Sequence, residues 1–228
     1  VLAVNNLAMT YMFMDRLDEA EQVFERCLAV HERLGDQMER ARALRNLGLI
    51  RRQTGDFAGA LDAYHHSLEI ADRADSVVMR AAVHEAVAAI CQLRGDLDDA
   101  VDHRERTLAA CERMGQSQFV AERTAELARL HADRGEFDRA RDLATDAVDL
   151  AVDIEDDVSH ASSRAVLGDV ERFAGDPAAA REHLGVGHEL VEASDRPELA
   201  GAALIVHRGL GRLALVAGDL ETAADHVE

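Results

Sequence analysis

The pattern that most constrains this chain is a hexapeptide that returns at a fixed step, because repetition on this scale dictates stacked, similar units rather than one irregular core. Gly55-Asp56-Phe57-Ala58-Gly59-Ala60 recurs as Gly95-Asp96-Leu97-Asp98-Asp99-Ala100, Gly135-Glu136-Phe137-Asp138-Arg139-Ala140 and Gly175-Asp176-Pro177-Ala178-Ala179-Ala180, 40 residues apart each time. Asp15-Arg16-Leu17-Asp18-Glu19-Ala20 stands one step earlier. Gly218-Asp219-Leu220-Glu221-Thr222-Ala223 stands 43 residues after Gly175, so the last step carries three extra residues. The 228 residues therefore divide as one array over 1–228, in units of about 1–35, 36–75, 76–115, 116–155, 156–195 and 196–228, the first and last truncated.

Between these hexapeptides the apolar residues keep helical spacing. Leu61, Tyr64, Leu68 and Ala71 follow one of them, and Ala43, Leu44, Leu47 and Ile50 precede it, which predicts two amphipathic helices per unit. Each hexapeptide is then a helix-to-helix corner: its Gly can take the left-handed conformation that ends one helix, and the next Asp can cap the other. Pro177 and Pro197 are both expected at first helical positions. Longer connections are expected at Gly35-Asp36, Asp75-Ser76, Gly115-Gln116-Ser117, Glu155-Asp156-Asp157 and Ser194-Asp195, between one helical pair and the next. The reading is all-α, with about eleven helices, a truncated twelfth and no strand.

Asn46-Leu47-Gly48, Gly55-Asp56-Phe57, Ala60, Tyr64, Ser67 and Leu68 together resemble a tetratricopeptide repeat, and the resemblance covers essentially the whole chain. Small residues fill two of its positions throughout: Ala8, Gly48, Ala88, Ala128, Gly168 and Gly211 in one, Ala20, Ala60, Ala100, Ala140, Ala180 and Ala223 in the other. The step of 40 exceeds the usual 34, and the place where the usual repeat often has Pro holds Glu32 or Asp72. The units therefore resemble the extended repeats of kinesin light chains, spindle-orientation adaptors and the sensor regions of large bacterial transcription regulators. The aromatic position decays from Phe24 and Tyr64 to Arg104, Ala144 and Leu184. The resemblance implies a right-handed α-α superhelix that binds protein partners.

Composition narrows the function classes. All 25 cations are Arg, against 44 acids, for a formal net charge of -19. With no Trp and few aromatics, neither phosphate-backbone binding nor a base-stacking surface is expected. Such a Lys-free, acidic balance fits either GC-rich coding or a saline cytoplasm. Uninterrupted apolar stretches such as Ala202–Val206 are far shorter than the roughly 20 residues of a membrane span, so none is expected. Val1 stands inside an apolar pattern with no basic-then-apolar leader, as expected for a piece of a longer protein with flanking domains.

The chemistry-bearing residues read as structural. Cys27 and Cys111 share positions with small residues, and Cys91 and Cys111 differ in height by about 18 Å on an antiparallel helical pair, beyond disulfide reach. Buried, reduced thiols and a cytoplasmic location follow. His84 has Ala88 rather than His four residues on, His65 and His66 point apart, and His183 and His188 are five apart, so no metal site or other cofactor is expected. Gly185-Val186-Gly187 and Leu210-Gly211 lie in helical pattern rather than after a strand, which argues against a phosphate loop. No catalysis is expected.

The resemblance also implies a concave groove lined by the second, fifth, ninth and twelfth positions of each first helix. Here these are Arg42, Arg45, Leu49 and Arg52, with Asn46 beside them; Ala82, Glu85, Ala89 and Gln92; Glu122, Ala125, Arg129 and Ala132; Ser162, Ala165, Asp169 and Arg172; Ile205, Arg208, Arg212 and Leu215. Seven Arg against three acids leave a basic stripe on an acidic chain. An acidic peptide segment is the expected partner, since Arg grips carboxylates bidentately. Asn5, Met9 and Met12 give the groove an apolar first end, or else pack against a preceding repeat. The biological use is a protein-interaction scaffold; the alternative is the sensory region of a larger signalling or transcription-regulator protein.

Overall fold

The computed structural model describes residues 2–193 and 196–219 with Thr222, Ala224 and His226, and side chains from Asn6 onward. Its helices are α1 (Leu2–Phe13), α2 (Leu17–Leu34), α3 (Gln37–Gln53), α4 (Phe57–Arg73), α5 (Val77–Arg94), α6 (Leu97–Arg113), α7 (Ser117–Asp133), α8 (Phe137–Asp153), α9 (Asp157–Ala174), α10 (Pro177–Glu192) and α11 (Ala200–Ala217). No strand occurs among the described residues. The expected twelfth helix falls where only Thr222, Ala224 and His226 are described; Asp219 Oδ1 there accepts from the Thr222 amide at 3.1 Å, as a helix cap does.

Corner chemistry explains the helix ends. Gly55 and Gly95 hold φ of +84° and +80°, a region costly for other residues. Asp56 Oδ1 accepts from the Gly59 amide at 2.9 Å, and Asp176 Oδ1 from those of Ala178 and Ala179 at 3.1 and 3.0 Å. Pro177 begins α10, where its missing N–H costs nothing, and Pro197 begins a short 3-10 turn, Pro197–Leu199. The connections between pairs are not longer than those within them, contrary to the sequence reading: Gly35 and Asp36 alone join α2 to α3, as Gly95 and Asp96 join α5 to α6. Asp75 and Glu155 take φ of +47° and +54° and so serve as left-handed stops without being glycine. The exception is residues 193–199 before α11. Since α9 and α11 begin 43 residues apart and α8 and α10 begin 40 apart, the three extra residues belong to this stretch, which contains the 3-10 turn.

Contacts gather the chain into two compact units, Val1–Ala110 and Cys111–Glu228. In the first, α1 to α5 pack each on the next, and α3 also touches α5. In the second, α7 to α11 do the same, and α7, α9 and α11 pack side by side, so the first helices of successive pairs form one wall. Each unit is thus an all-α solenoid stack.

The small residues stand where helices approach closely. Ala8, Ala20, Ala60, Ala88, Ala100, Ala128, Ala140 and Ala180 are all fully buried. A Cβ on Gly48 would meet the Tyr64 ring at 2.5 Å, and one on Gly168 would meet Leu184 Cγ at 2.7 Å. Phe24, Tyr64, Ala144 and Leu184 are fully buried, and Arg104, in the same repeat position, is buried through an ion pair with Glu85. Inter-pair contacts include Arg51 with Glu21 at 2.9 Å in the first unit and Arg141 with Glu171 at 2.6 and 2.8 Å in the second, equivalent positions with the charges exchanged.

One helix departs from the membrane expectation. The stretch Pro197–Ala217 is long and apolar enough to cross a bilayer by length and composition. It buries Ala202, Val206, Leu213 and Ala214 within its own unit, with Leu199 before it, and carries Arg208 and Arg212, while Leu204, Leu215 and Val216 are exposed.

Candidate functional site

In the first unit α3 presents the expected residues in two environments. Arg42 is exposed and ion-paired with Glu39, one turn earlier. Arg45 is half-buried; burial holds its guanidinium below the ordinary pKa, with nearby Tyr64 opposing and Arg42 reinforcing the shift. Asn46 is buried rather than groove-facing, and its Oδ1 accepts from Arg45 Nη2 at 3.0 Å, so it orients Arg45 instead of offering itself to a ligand. Leu49 and Arg52 are half-buried. Arg52 Nε and the Tyr64 hydroxyl are buried with no hydrogen-bond partner among the described residues. Glu85, the acid on α5, is paired with Arg104, which reaches it from the second helix of the pair.

The apolar end divides. Met9 and Met12 are half-buried against Ala8, Ala20, Phe24 and Ile50, so much of their surface serves their own unit's core. Phe13 beside them is 85% exposed. The side chain of Asn5 lies outside the described residues.

In the second unit the wall of α7, α9 and α11 forms a continuous cleft. One part, about 360 Å³, is lined by Phe119, Ala125, Val158, Val166 and Ile205, with Glu122, Glu126, Ser162 and Arg129 at its polar margin. Arg129 and Val166 are shared with a second part of about 230 Å³ that runs to Asp169, Phe173 and Arg212. The cleft is therefore apolar at one end and charged at the other. Glu126 and Glu122 at the apolar end are matched by Arg123, at 2.6 and 3.4 Å.

The charged end brings Arg172 and Arg212 onto Asp169, with Arg129 and Arg208 nearby and Asp133 also in its lining. Asp169, mostly buried, accepts from Arg172 at 3.0 and 3.2 Å and lies 3.7 Å from Arg212 Nη1. Arg172 lies over the Phe173 ring at 4.1 Å, which fixes its plane. Burial lowers the Arg208 pKa, and the charges of Arg129 and Arg212 lower it further against the opposing pull of Asp169. Arg208 is thus near both Arg129 and Arg212, which line the same part of the cleft. Ala165, by contrast, sits in the core with Ala180, Leu184, Val206 and Leu213.

Two features escaped the sequence reading. The apolar end of the cleft uses Phe119 and Val158, which lie at helix starts, before the four positions considered. Imidazoles also meet across helices: His84 and His103 at 2.9 Å between Nδ1 atoms, and His207 and His226 at 3.2 Å. Both pairs are 19 residues apart, as are Arg164 and His183, which lie 3.2 Å apart. This spacing was readable in the sequence as the register of a helical hairpin. The three cysteines are free and buried, as expected, and burial raises the thiol pKa of Cys27 and Cys91.

Comparison with known proteins places this geometry. The tetratricopeptide-repeat profile matches residues 1–73 and 79–151, and a second profile of the same description matches 161–185 and 204–228. BtubC (BKLC) from P. vanneervenii superposes with a TM-score of 0.74 at 19% identity, covering 92% of this chain and 88% of that one. A kinesin light chain-like repeat protein of Podosopora anserina gives 0.74 at 19% identity, with 85% and 96% covered. The STAND signal-transduction ATPase PH0952 of Pyrococcus horikoshii, which has a tetratricopeptide repeat sensor, gives 0.73 at 13% identity, with 98% of this chain and 35% of that one covered. No curated protein sequence matches the chain. With profiles over most of its length and the corner, small-residue and hairpin geometry in place, the chain belongs to the tetratricopeptide-repeat family, whose members generally mediate protein–protein interaction.

Proposed function

We propose that the chain is a non-catalytic interaction module that holds an acidic peptide segment against the α7–α9–α11 wall. The observation that carries this reading is the contact of Arg172 and Arg212 with Asp169, with Arg129 and Arg208 nearby, beside an apolar recess. Asp169 and Asp133, the two acids lining this part of the cleft, leave the four cations under-compensated, and a ligand carboxylate would relieve their repulsion while an aliphatic or aromatic neighbour entered the recess at Val158, Val166 and Ile205. Arg45 and Arg42 on α3 offer a second, weaker cationic patch in the first unit. The regulator alternative rests on likeness of fold alone.

The test is a titration of peptides pairing one large apolar residue with Asp or Glu, read by fluorescence anisotropy. Reversing Arg208 and Arg212 to Glu should abolish binding with the helical circular-dichroism signal unchanged, since both side chains are exposed. Reversing Arg73 and Arg113, exposed elsewhere, should leave it within about twofold, and raising salt should weaken it. Equal losses from both pairs would show that the basic residues are only solvated surface.

A further inference from the structure

A cluster of imidazoles in the second unit lies apart from the cleft residues and has no role in peptide binding. His188 and Glu192 lie four residues apart on α10 and so share a face. His207 comes to them from α11, and the ligand atoms of His188, Glu192 and His207 all lie within 4.8 Å of one another. His226, beyond the Asp219 cap, completes the group: its ring centre is 5.4 Å from that of His207 and 6.4 Å from that of His188, while those of His188 and His207 are 5.3 Å apart.

We propose that His188, Glu192, His207 and His226 form a binding site for one divalent first-row transition ion, tested here with zinc. Two nitrogens that each sit about 2.0–2.1 Å from a tetrahedral ion are about 3.3–3.4 Å apart. The Nδ1 atoms of His207 and His226 are 3.2 Å apart, so that edge of the site is already at coordination spacing. His188 and Glu192 need only close on His207 from within 4.8 Å, and His226 must swing toward them from a ring-centre distance of 6.4 Å to His188. Three imidazoles and one carboxylate are a donor set for zinc, copper or nickel rather than calcium or magnesium, which prefer oxygen alone.

A further observation favours an ion over simple packing. His188 Nδ1 is buried and has no hydrogen-bond partner among the described residues, an arrangement that needs an explanation in a native protein. The His84 and His103 pair is the internal contrast. Its nitrogens are as close, yet no third metal-ligating group gathers around it among the described residues, and a single N–H···N bond accounts for it. An ion at the larger cluster would tie His226 to α10 and α11.

The 228-residue chain, stripped with chelator and dialysed, should be titrated with zinc chloride at pH 7.5 by calorimetry. One ion per chain with a Kd of micromolar or below is expected, with a rise in melting temperature on loading. His207→Gln and His188→Gln should each weaken binding at least tenfold, and the His84→Gln/His103→Gln variant should match the wild type. X-ray absorption of the zinc-loaded wild type supplies a readout independent of any variant, with scattering from at least two imidazoles expected. No saturable binding up to millimolar zinc, an oxygen-only shell, or binding that survives both His207→Gln and His188→Gln would overturn the proposal, the last two placing the ion on the acidic surface.

Discussion

Gly48 and Tyr64 occupy facing positions, and what one lacks in volume the other supplies. Gly168 faces Leu184 in the same way. Close packing explains it, since two helices held at one separation leave a fixed space between them. Replacing Gly48 by Ala should raise helix propensity by about 1 kcal/mol. The added methyl, however, would lie 2.5 Å from a ring that is fully buried and has no room to retreat. Overpacking of this kind costs about 1–3 kcal/mol, so a net loss of up to about 2 kcal/mol is expected in urea denaturation. Adding Tyr64→Leu should recover part of the loss, as the Gly168 and Leu184 pairing suggests. A Gly48→Ala protein as stable as the parent would show that the pair is not tightly packed.

At the scale of the element, the hairpin of α5 and α6 places His84 against His103. Burial first, then the charges of His103 and Arg106, push the His84 pKa down to about 4, while Asp72 and Asp102 act in the opposite sense. Its ordinary value is about 6.5. Between those two pH values the unfolded chain takes up a proton that folded His84 refuses, so stability falls as pH falls through the window and is unaffected above it. His103, His160, His183 and His207 are shifted in the same direction and add to the trend. In chelator, the melting temperature should be level from pH 8 to 7 and decline from about 6.5 toward 5. His84→Gln should flatten part of that decline; an unchanged slope would mean that His84 is protonated in the folded state.

The same hairpins show what a sequence displays and what it hides. Corners were legible because Gly55 and Asp56 are chemically suited to nothing else so well. The equal length of the other joints was not, because Asp75 and Glu155 adopt a left-handed turn that their side chains do not advertise. The nearness of Arg208 to Arg129 and Arg212 was implied by the family resemblance, which supplied the four lining positions of each first helix. Phe119 and Val158, by contrast, enter the cleft from helix starts that a four-position rule skips, and Asn46 turned inward because it bonds Arg45.

For the whole molecule, charge is the dominant long-range term: a net -19 on 228 residues repels itself in every compact state. Raising KCl from 0.1 to 1 M shortens the screening length from about 10 to about 3 Å, so the melting temperature should rise. A level or falling dependence would show that local pairs such as Arg141 with Glu171 already balance the field. The three-residue excess before α11 bears on how such a chain changes length. Inside a helix, three added residues would turn every later side chain through about 300°, carrying Val206 and Leu213 away from the core and Arg208 off its face. Confined to a joint, they add offset without rotation, and α11 keeps its 18 residues in phase with α9. Peptides inserted at Pro197–Leu199 should accordingly leave α11 in phase, whereas the same insertion at Gly209 should scramble it.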